Sequence, residues 1–268
     1  MRPHHQRSAM SVVISTIILS ATILVITLAA LFVSNTVLEQ QLDQSEFEQV
    51  KNNVMTLVDI VEHVAVTPGA SGYVTMNIRT SHPNFTRNAG TIVVMVDGIT
   101  VINGITGALN IGGGRYVGVG AGIEELVGAD QLIVLNASDP LAYVYVVQKN
   151  GAWLNMDYAR ARARYMGKFM YYEGDQRINR SIVRIALINI SFGTIRIMGT
   201  GTLNLVARNI RTVVQTYLIT GKDNVDVTVS YNGQSEGPIN IGPSQSIPPV
   251  ATQTVVYVVR MDVEIATL

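Results

Sequence analysis

The chain holds few residues with the chemistry of a reaction centre. Its four histidines are His4, His5, His63 and His82, and cysteine is absent. The lack of cysteine excludes disulfides, thiolate metal sites and thiol nucleophiles together. His63 and His82 are 19 positions apart, and no Ser-His-acid set or carboxylate–His metal spacing accompanies them, so neither is expected to be catalytic. Asp223, Asn224 and Asp226 put three oxygen-bearing side chains close together, the kind calcium prefers. The EF-hand spacing is missing, and a loop entering a strand explains these residues equally well, so no bound metal is expected. The densest glycine stretch, Gly112 to Gly122, has neither the Lys-Ser/Thr of a phosphate loop nor a G-x-G-x-x-G in a βαβ setting. It reads as a turn-rich loop. No catalytic set, metal site or cofactor site is expected.

Other residues suggest contact or modification. Tyr158 to Tyr165 alternates Arg160, Arg162 and Arg164 with alanines. As a strand this segment puts three arginines on one face. A solvated edge that discourages stray pairing is the favoured reading; contact with acidic groups on a neighbouring subunit or with an anionic surface is the alternative. Asn84, Asn136, Asn179 and Asn189 begin N-x-S/T sequons, the acceptor motif for N-glycosylation. Asn84 and Asn136 rank first and Asn179 next. Asn189 falls inside an apolar strand-like run where its side chain could be buried.

The elements that position these residues divide the chain in three. Residues 1–9 are short and basic, with Arg2 and Arg7. Ser11 to Val33 is a run of 23 almost wholly apolar residues, and no charge appears between Ser8 and Leu38. As a helix the run reaches roughly 35 Å, enough to cross a bilayer core. An ordinary secretory signal has a shorter apolar region, although Ala29 and Ala30 imitate its cleavage site. Beyond it, Val37 to Val64 carries no Gly or Pro. There Phe47, Val50, Val54, Leu57, Val61 and Val64 recur at spacings of three, four, three, four, three, an a/d stripe expected to seek partner helices. One helix over residues 10–66 is predicted, running ~80 Å and broken by Pro68 and Gly69. Ser11, Ser15, Thr16, Ser20, Ala21, Thr22, Thr27, Ala29 and Ala30 thread the apolar run; such small residues let helices approach closely in an apolar medium.

This arrangement resembles a class III signal peptide followed by the N-terminus of an archaeal type IV pilin or archaellin. In that family a short basic leader ends in a charged and then a small residue. Arg7 and Ser8 fit, with the cut before Ala9 and, as runner-up, between Ala9 and Met10. The resemblance covers residues 1 to about 66, roughly a quarter of the chain. Bacterial type IV pilins carry a Glu at the fifth mature position; here Val13 or Ile14 stands there, which favours the archaeal branch. The resemblance implies a prepilin-type peptidase, an assembly machinery, insertion in the cytoplasmic membrane before assembly, and a helical homopolymer whose helices bundle at its axis. Arg2 and Arg7 would hold the N-terminus cytoplasmic, which places the remainder outside.

Residues 67–268 are expected to form an external all-β domain, immunoglobulin-like in the loose architectural sense. Val-, Ile-, Thr- and Tyr-rich segments at 73–78, 91–96, 131–135, 141–148, 181–190, 213–219, 225–231 and 252–263 are punctuated by turn residues. The expected fold is therefore α+β, with a long N-terminal hydrophobic helix followed by a β-sandwich. Trp153 is expected in the core. Charged residues are only 14% of the 268, and Lys plus Arg equals Asp plus Glu at 19 each. The scarcity suggests a surface partly covered by lipid or by other copies, and the balance argues against nucleic acid. The leading expectation is a structural filament subunit, adhesive in role, rather than an enzyme. The alternatives are an archaellum subunit for motility and a single-pass membrane-anchored β-domain that binds a ligand.

Overall fold

The computed structural model describes residues 5–196, 201–243 and 251–267. A single α-helix, α1, spans His5–Ala65. Nothing within it breaks the backbone ladder, since no Gly or Pro occurs from residue 5 to residue 65. It stops where Pro68 and Gly69 follow; Gly69 takes φ 77°, a left-handed conformation suited to glycine. Strand β1 (Ser71–Asn77) then returns along the helix. Gly72 lies so close to Ile60 that an added Cβ would sit 2.6 Å from its Cγ2.

Twelve more strands follow among the described residues: β2 (His82–Val96), β3 (Ile99–Gly112), β4 (Ile123–Val127), β5 (Ile133–Val134), β6 (Tyr143–Lys149), β7 (Gly151–Asp157), β8 (Ala161–Glu173), β9 (Gln176–Phe192), β10 (Thr202–Thr220), β11 (Val225–Tyr231), β12 (Gln234–Ile241) and β13 (Ala251–Thr267). One sheet has the order β1-β10-β13-β9-β8-β5 and the other β12-β11-β2-β3-β7-β6-β4. Most pairs are antiparallel; β13 with β9 and β5 with β8 run parallel. Two hairpins turn on Asp97-Gly98 and Asn232-Gly233, each pair with positive φ, as a two-residue turn between twisted strands requires.

Two cores result. Ile92, Val94, Val96, Val225, Val227 and Val229 of one sheet meet Val183, Ile185, Leu187, Val256 and Val258 of the other. The larger core contains the second half of α1, with Leu203, Leu205, Met261, Val263 and Ile265 on one side and Ile111, Leu154 and Met156 on another. The chain is α+β as expected, a long apolar helix followed by a β-rich domain. The number of its strands and its parallel pairs make the immunoglobulin comparison a loose one. Trp153 is half-buried rather than enclosed, its ring lying over Gly112.

Candidate functional site

The surface most unlike that of an ordinary soluble domain is the first half of α1. From Ile14 to Leu42 it stands clear of the β-domain: Ile17 is 62%, Leu24 61% and Phe32 75% exposed. The helix is long and apolar enough to cross a membrane, and the apolar window that meets this test has no part buried inside the chain. Four of its hydroxyls are satisfied by the helix itself. Ser20 donates to the Thr16 carbonyl and Thr22 to that of Ile18, both at 2.8 Å. Thr27 donates to the Ile23 carbonyl at 2.8 Å and Thr36 to that of Phe32 at 3.0 Å. A hydroxyl bonded back to its own helix enters an apolar medium without an orphaned donor.

The second half is the opposite. Phe47, Val50, Val54, Leu57 and Val61 are all 0% exposed and Val64 5%. The stripe expected to seek partner helices is filled instead by the chain's own β-domain. This corrects the sequence reading: a periodic apolar seam marks a face that will be covered, and sheet side chains cover it here as well as a helix would. Three of the off-stripe acids are also engaged. Glu46 accepts hydrogen bonds from the Thr80 and Ser81 amides at 2.9 Å each and from the Thr80 hydroxyl at 3.1 Å. Burial pushes its carboxyl up, but these donors outweigh that and hold it below the ordinary Glu value. Asp43 accepts from the Tyr116 amide at 3.3 Å, and a Cβ on Gly114 would come within 2.6 Å of its carboxylate. Glu62 accepts from the Leu141 amide at 2.5 Å and the Ala142 amide at 3.3 Å. At the helix end, Asn209 donates to the Ala65 carbonyl at 2.8 Å and to that of Val64 at 3.3 Å, satisfying carbonyls that the last turn leaves free. Nothing in the periodicity pointed to these four clamps, because their partners are backbone amides and carbonyls of distant segments.

The remaining candidates resolve individually. Arg7, Ser8, Ala9 and Met10 lie on the backbone of α1, and their side chains are outside the described residues. Asn84 and Asn136 are exposed, and Asn136 donates to Asp139 at 2.9 Å. Asn179 is only 6% exposed, which removes it from the accessible sequons. Asn189 is half-buried and donates to Asp262 at 3.0 Å. Within the glycine stretch, Gly113 and Gly114 pack on Phe47 and Asp43, so this loop seats the helix. His63 and His82 are both exposed. Among the described residues no group of three or more His, Asp or Glu is placed to hold a metal. Asp223 faces Lys168 at 3.6 Å, and Asp226 accepts from Asn240 at 2.8 Å.

The arginine alternation is not a uniformly solvated edge. Arg160 is 3% exposed, pairs with Asp157 at 3.1 Å, donates to the Ala129 carbonyl at 3.1 Å, and lies 4.3 Å from the Tyr143 ring. Burial pulls the Arg160 guanidinium down and pushes the Asp157 carboxyl up, each opposed by the charge of the other. Arg162 bonds the Asp139 carbonyl and lies 4.0 Å from Glu62. Arg164 alone of the three is exposed.

A concavity of about 650 Å³ opens where α1 leaves the β-domain, lined by Glu39, Asp43, Glu46, Arg79, His82 and Arg115. Two of its three acids are already bonded to backbone amides. No family model, no curated protein and no solved structure matches the chain.

Proposed function

We propose that the chain is the structural subunit of a surface filament of the archaeal type IV pilus kind, polymerising through the first half of α1 and serving attachment. The observation that carries this reading is the contrast within one helix: residues 14–42 are bare and largely apolar, while residues 43–65 are locked into the β-domain. A membrane holds the bare half before assembly, and other copies of the same helix hold it afterwards. Burial of apolar surface at ~25 cal/mol per Å² drives the packing. The β-domain then coats the outside, with Asn84 and Asn136 available for glycans. A prepilin-type peptidase cutting beside Ser8 and Ala9 releases the helix for assembly. An archaellum-type motility filament would use the same segment. A single-pass membrane anchor carrying a binding domain is the reading from another class, and it too is supported by the length of the apolar helix.

Mass spectrometry of the native protein from surface material separates these readings. The filament reading expects loss of eight or nine N-terminal residues. Intact chain confined to the membrane fraction would support the anchor and count against the filament.

A further inference from the structure

The sheet face on which α1 lies does not end where α1 ends. Residues paired across adjacent strands share a face, so this face can be followed row by row. Beside the helix it is apolar and closed: Val263 and Ile265 of β13 are 0% exposed, as are Leu203, Leu205 and Ala207 of β10. Past Val66 the same face continues as a ledge. One row is Val214, Val259, Ala186 and Arg162; the next is Thr216, Tyr257, Arg184 and Arg164; the next includes Leu218, Val255 and Ile182. Along its edge on β10 and at Tyr257 the ledge is open, with Val214 58%, Leu218 56% and Tyr257 39% exposed, while Val259, Val255 and Ala186 between them are 8%, 7% and 6% exposed.

The ledge is also charged in one sense. Arg164 and Arg184 stand directly opposite each other on neighbouring strands, an arrangement that disfavours the sheet. Neither has a hydrogen-bond or ion-pair partner among the described residues, and the Arg162 Nε is buried without an acceptor. The three arginines and Val66 line a concavity of about 230 Å³ at the end of α1. Helix α1 is charged in the other sense: residues 37–66 carry six acids and one Lys, and residues 67–268 carry sixteen Lys and Arg against thirteen acids.

We propose that the ledge receives α1 of a second copy, through the stretch around Val37 to Leu42. The sheet already accepts a helix of this type on the rows beside it through apolar side chains, while the amides of Thr80, Ser81, Tyr116 and Leu141 take the helix's carboxylates, and the ledge is a direct continuation of that interface. The incoming stretch matches: Val37, Leu38 and Leu42 are 43%, 53% and 54% exposed, and the exposed Glu39 among them has no hydrogen-bond or ion-pair partner among the described residues. Its carboxylate reaches the arginine pair that the ledge leaves uncompensated. Because one copy offers the ledge and the other the helix, the contact is head-to-tail and propagates rather than closes. This deepens the filament reading and rests on it for its biological setting, but the contact itself is testable alone.

The absence of native cysteine makes cross-linking clean. Full-length chain carrying Arg184→Cys together with one of Val37→Cys, Leu38→Cys, Glu39→Cys or Leu42→Cys is expressed in cells and oxidised mildly. At least one pair is expected to give an intermolecular ladder, whereas mixing the two single variants gives heterodimers that stop at two chains. Charge reversal at the neighbouring exposed Arg164, Arg164→Glu, is expected to lower the yield roughly tenfold without altering the fold. No intermolecular bond at any of the four positions, or bonds formed only within one chain or only between two copies of the Arg184→Cys single variant, would overturn the proposal. Filaments that form without these cross-links refute the ledge contact and leave the filament reading standing. Cross-links in membranes that never yield filaments support the contact and refute the filament.

Discussion

The two halves of α1 are one continuous helix with opposite surroundings. Residues 14–42 expose leucine, isoleucine, valine and phenylalanine; residues 43–65 bury theirs along one side. The difference follows from what each half can pair with. The second half alternates an apolar stripe with acids, and the β-domain answers both, with side chains for the stripe and loop amides for Asp43, Glu46 and Glu62. Up to Val33 the first half is apolar all round; its polar side chains there are hydroxyls, and those of Ser20, Thr22 and Thr27 are bonded back to the helix. No face of it is distinguished for a globular partner. A helix uniformly apolar over such a length is stable in lipid or among its own kind.

Matched substitutions test the contrast. Val54→Asp puts a charge at a 0%-exposed position and is expected to cost more than ~4 kcal/mol of β-domain stability, read as a lost or sharply lowered unfolding transition in detergent. Leu24→Asp, in the bare half, is expected to leave that transition within about 0.5 kcal/mol while abolishing membrane retention and assembly. If both variants unfold the β-domain, or neither does, the division of the helix is wrong. Leu57→Ala should cost about 2–5 kcal/mol by the same denaturation.

The carboxylate clamps give a smaller, pH-dependent effect. Glu46→Gln keeps the shape but weakens three charge-assisted bonds, and about 1 kcal/mol is expected at neutral pH. The folded carboxyl titrates below its ordinary value of 4.5. Its contribution is therefore complete above that value and is lost as pH falls through the lower, folded one. Unfolding curves of the native chain and the variant should converge on acidification below about 4.5; a gap that stays constant across that range would show that charge plays no part. Smallest of all, Thr22→Val in the bare half should change β-domain stability by less than about 0.5 kcal/mol.

Much of this organisation was legible in the sequence. The helix, its end at Pro68 and strand β11 at 225–231 follow from periodicity and breakers, and several other strands were found in part. Strands β3, β4, β7 and β12 were not predicted, and β8 only through its arginine alternation: Gly107, Asn155, Pro238 and Gly167 interrupt the Val- and Ile-rich pattern in β3, β7, β12 and β8, and β4 is five residues with two acids. The partner of the a/d stripe was not legible either. Periodicity reports that a face is covered, and only long-range packing determines by what. The clamps at Asp43, Glu46, Glu62 and Asn209 were hidden for the same reason, because a loop amide in need of an acceptor leaves no mark on the sequence. Exposure separated the sequons: Asn84 and Asn136 stay open, while Asn179 is enclosed between paired strands.

Electron microscopy of material sheared from the surface of cells making the full chain is the most direct test of the central claim. Thin filaments that contain this protein, present for the native chain and absent for Leu24→Asp, are predicted. A native chain that stays wholly in the membrane fraction with no filaments, or filaments that persist unchanged with Leu24→Asp, would contradict it.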